Sequence, residues 1–257
     1  IFAIGLTYRL GSWLNRPATH AMIKRSIQNM RSKKRAKRNF GAILKTLIDN
    51  IILQKFIFKR GFYRGLQHLL IAWGCIGSFG ITFGLVLGFV RFDPISPGIN
   101  AVVMFNIPVF KLAADGFIAE LFYNGLNITS LMLLAGLSMA LSRRLVNKEL
   151  RINQRAEFDL LPLYLLLAVT VSGLLLTVSY KFLGGWYHYE VAYFHQMTVI
   201  VLLIYFPFGK LFHVPIRPLT TAVPMNYEVQ DISSKVEGKA CHSCKEIYSS
   251  IDQIEDV

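Results

Sequence analysis

Three histidines are the residues of this chain whose type and spacing could hold a redox cofactor. His195 and His213 open and close the stretch "HQMTVIVLLIYFPFGKLFH", which between them carries only apolar residues, a Gln, a Thr, a Tyr, a Pro-Phe-Gly break and a Lys. Their spacing corresponds to five turns of uninterrupted helix, so such a helix presents both imidazoles on one face, about 27 Å apart along its axis. His68, in "FYRGLQHLLIAWG", enters another apolar stretch and shares the depth of His213. A neutral imidazole is the usual axial ligand of a haem held between helices, and ionisable groups within a membrane usually mark function. Each histidine taken singly reads as well as a headgroup contact, because Arg64 precedes His68 and Lys210 precedes His213 within a turn. Both readings stand at this point.

The elements that must position these side chains follow from composition. The chain has 257 residues, 53% of them hydrophobic and only 17% charged, and its mean hydropathy is +0.43. The apolar residues come in long blocks rather than in alternating strands, which is a membrane composition. A helix needs about 20 apolar residues to cross the hydrocarbon core. The blocks at 66–90, 117–141, 160–182 and 191–213 satisfy that length, and "IFAIGLTYRLGSWL" at 1–14 reads as the second half of a first span, truncated at its start. The expected fold is therefore an all-α integral membrane protein, a bundle of five transmembrane helices over 1–213, followed by a polar, irregular cytoplasmic tail over 214–257.

Loop charges set the orientation, because Lys and Arg near span ends collect on the cytoplasmic side. The segment from Arg16 to Arg64 carries 14 Lys and Arg against one acid, Asp49, and the third connection holds Arg143, Arg144, Lys148, Arg151 and Arg155. The connections at 91–116 and 181–190 are balanced in charge. The amino terminus is thus expected outside and the carboxyl terminus in the cytoplasm. The run "SKKRAKR" at 32–38 resembles a nucleic-acid patch, but beside a span it reads as a stripe facing lipid headgroups or an acidic partner, with no nucleic acid involved. The Pro-rich, apolar 91–116 connection is expected to lie in the outer interface or to re-enter the bilayer.

On a helical wheel of the second span, Gly74, Gly77, Gly80, Gly84 and Gly88 gather opposite His68, a small-residue stripe suited to helix packing. Ala72, Cys75, Phe79 and Val86 share the histidine's face. In the tail, Cys241 and Cys244 form "CHSC", half of the four-ligand set that a zinc or iron–sulfur site usually needs. No nucleophile–base set or carboxylate cluster suggests a self-contained enzyme, and neither inverted repeats nor matched broken spans suggest a transporter.

The stretch "FPFGKLFHVPIRP" at 206–218, with His195 ahead of it, resembles the last span of the gamma subunit of respiratory nitrate reductase, within the wider family of heterodisulfide reductase-type membrane cytochromes b. "GSWL" at 11–14, "LQHLLIAWG" at 66–74 and "SRRL" at 142–145 extend the resemblance over about 1–218. It implies a b-type cytochrome of a prokaryotic cell membrane, with haem b between helices 2 and 5 held by His68 and His213. It also implies exchange of electrons between menaquinone or ubiquinone and an iron–sulfur subunit, with a catalytic subunit, docked on the cytoplasmic face. The family's second histidine of span two is replaced here by Ser78, so a second haem stays open. His195 is left to find another partner such as His188 or a methionine, to contact quinone, or to stand alone. Glu120 falls where nitrate reductase has a lysine implicated in quinol binding, and it is a candidate quinone-site residue together with His195 and Tyr193. A cofactor-free structural anchor is the alternative.

Overall fold

The computed structural model describes residues 1–17, 19–20, 23–24, 40–41, 44–45, 47–153, 155–220, 238–240 and 247–250. The chain is mostly helical and divides into two compact units, Gly61–Leu202 and Ile1–Arg60 with Leu203–Val257. Three helices are long and apolar enough to cross a membrane: Phe62–Val86, Gly125–Val146 and Ala156–Phe182. A fourth candidate, His188–Tyr205 with Lys210–Arg217, is bent by 71° at a short break. Large hydrophobic side chains stand exposed along all of them, as lipid-facing helices require.

The first unit is built on a helix pair. Helix α2 (Phe62–Val86) runs antiparallel to α4 (Gly125–Val146). A Cβ added at Gly74 would lie 2.8 Å from the backbone nitrogen and Cβ of Leu133, and one at Gly136 would lie 2.9 Å from the backbone nitrogen of Ile71. Glycine is needed at both positions because backbone meets backbone there. Gly77 meets Thr129, and Ser78 donates to Thr129 Oγ1 at 2.9 Å, a polar clasp on the same seam. The expected glycine stripe is thus split. Gly74 and Gly77 pack on α4, Gly84 approaches Val90, and Gly80 and Gly88 meet nothing within 4 Å.

Residues 91–116, expected in the outer interface or re-entering the bilayer, are mostly β-strand. They fold with their neighbours into an antiparallel meander of β1 (Val90–Ser96), β2 (Ile99–Met104) and β3 (Ile107–Ala113). Pro97-Gly98 makes the first hairpin, with Gly98 at φ +77°, where a type II turn takes glycine. Phe105 (φ 49°) and Asn106 (φ 66°) make the second, two adjacent left-handed residues as a type I′ turn demands. Arg91 donates to the Asn106 side chain at 2.6 Å across the sheet. Val102 and Leu112 bury their side chains against Ala119 of α3 (Phe117–Tyr123), with Phe92 packed alongside. The expected span 117–141 is therefore two helices, broken at Asn124, and the long one begins at Gly125 and runs on to Val146. The other long helix, α5 (Leu161–Phe182), starts with Pro162 in its first turn, where a missing N–H costs nothing.

Helix α1 (Phe2–Leu14) has 13 residues and is too short to cross a bilayer as it stands. It braces the break after α6 (His188–Tyr205). Gly5 lies under the buried Pro207, Arg9 donates to the Pro207 carbonyl at 2.8 Å, and the Arg9 guanidinium stacks 4.5 Å from the Phe212 ring centre. The expected continuous span 191–213 is interrupted because Pro207 and Gly209 halt the helical hydrogen-bond ladder. A new helix, α7 (His213–Thr220), begins at the second histidine. His195 and His213 thus do not share one straight helical face. In the tail, expected to be irregular, β4 (Gly238–Ala240) pairs antiparallel with β5 (Ile247–Ser250). Cys241, Cys244 and the basic run at 32–38 lie outside the described residues.

Candidate functional site

At the sheet end of the first unit, α3, α4 and α5 border an open cleft of about 440 Å³ lined by Glu120, Tyr123, Asn124, Asn127, Thr177 and Lys181 among others. The break at Asn124 creates it. By ending α3 one residue before α4 begins, the chain turns Glu120 and Asn124 toward α5 instead of continuing one helix past it. A polar chain then runs along the α4–α5 seam. Thr177 donates to Asn127 Oδ1 at 2.8 Å, Asn127 donates to Asn124 Oδ1 at 3.0 Å, and Asn124 donates to Glu120 Oε1 at 2.5 Å. Lys181 Nζ also donates to Asn124 Oδ1 at 3.0 Å and stands 3.8 Å from the Glu120 carboxylate. Asn100 of β2 donates to the Tyr123 hydroxyl at 2.6 Å, tying the cleft wall to the sheet. A carboxylate, an ammonium, a phenol and two amides thus converge at a helix end, a set able to donate to and accept from one polar ligand head.

His195 is half-buried on α6 and rests against Gly173 of α5, where an added Cβ would lie 3.2 Å from the imidazole Cε1. Its Nδ1 lies 2.9 Å from Ser172 Oγ, whose own hydroxyl donates to the Ala168 carbonyl at 2.7 Å. The Ser172 hydroxyl also reaches the Val169 carbonyl at 3.1 Å, so serine and imidazole share a small polar cluster inside the helix pair. Thr198 Oγ1, 3.4 Å from Ser172 Oγ, completes the cluster.

His213 opens α7 on the surface, and its Nδ1 donates to the Lys210 carbonyl at 2.5 Å, which fixes the Nδ1–H tautomer. His68 is half-buried on α2. It belongs to the first unit and His213 to the second. His188, at the start of α6, has its Nδ1 buried without a partner among the described residues. Tyr193 stands exposed on α6, and Cys75 is half-buried on α2.

The structure therefore gathers Glu120 with Lys181, Asn124, Asn127 and Thr177, and His195 with Ser172 and Thr198. Lys181, Asn124 and Ser172 escaped the sequence analysis. The polar residues at 124, 127, 177 and 181 were legible as two helix-spaced pairs in apolar surroundings, whereas nothing local marks Ser172 as a partner of a histidine 23 residues on. Among the described residues no group of three or more His, Cys, Asp or Glu is placed to hold a metal ion. No protein-family model, curated protein or solved structure matches this chain.

Proposed function

We propose that this chain is the b-type cytochrome membrane anchor of a quinone-linked respiratory oxidoreductase, relaying electrons between the quinone pool and an iron–sulfur subunit on its basic, cytoplasmic side. The observation that carries the reading is the state of two histidines. His213 commits Nδ1–H to the Lys210 carbonyl and so keeps the lone pair on Nε2, the arrangement in which metal-bound imidazoles are usually held, and His195 Nδ1 is held 2.9 Å from Ser172 Oγ. By resemblance to the family, His68 and His213 would be the axial ligands of a haem b, with His195 left for a second haem or the quinone. The haem would supply one-electron chemistry at a potential set by its ligands and surroundings. The chain's own part is to orient imidazoles, to keep lipid-facing surfaces dry, and to offer a polar head its hydrogen bonds at Glu120, Lys181 and Asn124. With the quinone site at the sheet end outside and the electron acceptor inside, release of protons outside on quinol oxidation makes the step electrogenic.

The test is a dithionite-reduced minus oxidised spectrum with a pyridine haemochrome count on the purified protein, His68→Ala and His213→Ala. A b-type signal lost in both variants is the expected result. A purified chain without haem overturns the relay and leaves a cofactor-free structural anchor.

A further inference from the structure

The basic end of the α2–α4 pair carries an arrangement of charge that the electron-relay reading does not use. The two helices keep an even antiparallel register, in which Ser78 meets Thr129, Gly74 meets Leu133 and Ile71 meets Gly136. Seven residues further toward the basic end of each helix, two turns on, stand Arg64 and Arg143. Continued to this end, that register sets them opposite each other, and Arg64 and Arg144 are near enough to Arg143 to repel its charge. Among the described residues, Asp159 is the acid seen paired with one of these three guanidiniums. Asp159, ahead of α5, lies 3.5 Å from Arg144 and also accepts from the Arg155 backbone N–H.

Two further observations sharpen the imbalance. The Nε atoms of Arg143 and Arg144 are buried with no hydrogen-bond partner among the described residues, and a buried donor left unpaired is destabilising. Arg64 sits in the first turn of α2, a 25-residue helix preceded by Gly61 with no side-chain cap, so the positive end of its dipole adds to the same spot. Like charges held face to face by glycine packing, with donors unfilled, call for an anion.

We infer that Arg64, Arg143 and Arg144 form a binding site for the phosphate of an anionic phospholipid. The surroundings select a lipid over a free ion. Phe62, Tyr63, Leu145 and Val146 stand exposed around the guanidiniums at the end of membrane-length helices. A phosphodiester with acyl chains satisfies both the charge and that apolar rim, and basic pockets between helices at this level are suited to such headgroups. The Tyr63 hydroxyl, donating to the Met139 carbonyl at 3.3 Å, closes the pair beside the site.

The experiment uses the full-length protein from nanodiscs of equal phosphatidylglycerol and phosphatidylcholine, released into the mass spectrometer to count retained lipid. Wild type is expected to keep phosphatidylglycerol about tenfold over phosphatidylcholine. Arg143→Gln and the more exposed Arg64→Gln should each erase most of that preference, while Arg151→Gln, outside the cluster, should leave it. Circular dichroism checks the fold, and Arg64→Gln carries the test if Arg143→Gln does not fold. Equal retention of the two lipids, or unchanged preference in Arg64→Gln, overturns the site. Complete displacement of phosphatidylglycerol by millimolar inorganic phosphate also overturns it, in favour of a free-anion site. Retention of neither lipid, with acidic peptides binding in an Arg143-dependent way, reassigns the cluster to a protein partner.

Discussion

Replacing Gly74 by alanine tests the helix pair on which the larger unit is built. The new methyl would lie 2.8 Å from both the Cβ and the backbone nitrogen of Leu133, at least half an ångström inside ordinary contact. Backbone cannot rotate away as a flexible side chain can, so the helices must separate. Overpacking of this kind costs ~1–3 kcal/mol, and the backbone contact places Gly74→Ala toward the top of that range. Alanine returns ~1 kcal/mol through its better helix propensity, which leaves a net loss of roughly 2 kcal/mol. Gly80→Ala is the matched control on the same helix. Its methyl meets nothing within 4 Å, so only the propensity gain remains and the variant should be as stable as wild type or up to ~1 kcal/mol more so. Unfolding in mixed micelles of mild detergent and dodecyl sulfate, followed by far-ultraviolet circular dichroism, separates the two. Gly136→Ala should behave like Gly74→Ala, and the double variant should lose less than the sum, because helices already forced apart accept the second methyl more easily. Equal losses for Gly74→Ala and Gly80→Ala would refute the reasoning.

Ser172→Ala removes the hydroxyl beside His195 Nδ1 and should cost ~1–2 kcal/mol; the same variant should change the balance of imidazole tautomers seen by 15N NMR. Arg9→Met keeps an apolar stem but orphans the Pro207 carbonyl, and a loss of ~1–3 kcal/mol is expected in the same micelle titration. Lys181→Met should weaken binding of a quinol analogue by about tenfold in a fluorescence titration while leaving the far-ultraviolet spectrum unchanged. Unaltered affinity would remove the cleft from the quinone site.

The long helices were legible because twenty apolar residues in a row have few other uses. The start of α5 at Leu161 and the core of α2 sit where hydropathy puts them. The sheet was hidden for identifiable reasons. Its strands lack the alternation that marks a half-buried strand: β3 leaves Ile107, Val109 and Phe110 exposed while burying only Leu112. Its second turn uses Phe105 at a positive φ where the common signal is Asn or Gly, although Pro97-Gly98 did announce the first. The helix break at 205–209 carried its signal openly in "FPFG", and the regular spacing of His195 and His213 outweighed it. Of the candidate site, Glu120 and the histidines were visible as isolated ionisable groups in apolar surroundings. Lys181 and Ser172 were not visible as partners, since each lies on a different element from the group it meets and only packing brings it in, whereas Asn124 is a local partner four residues on from Glu120. Orientation of an imidazole by a serine on the neighbouring helix leaves no pattern in sequence.

Away from Gly74, Gly77 and Gly136, the glycine-fitted register of α2 and α4 makes this part of the chain tolerant of substitution, and throughout it is intolerant of changes in length. One residue inserted between Gly74 and Ser78 would turn everything beyond it by 100° and slide it 1.5 Å, parting Ser78 from Thr129 while leaving Gly74 on Leu133. Two contacts that now agree would then compete. The stretch between Val86 and Gly125 is under no such rule, because a hairpin can lengthen at its turn without moving its ends. Among related chains, gaps should therefore fall at Pro97-Gly98 and Phe105-Asn106, and the two helices should align residue for residue even where their side chains have drifted beyond recognition.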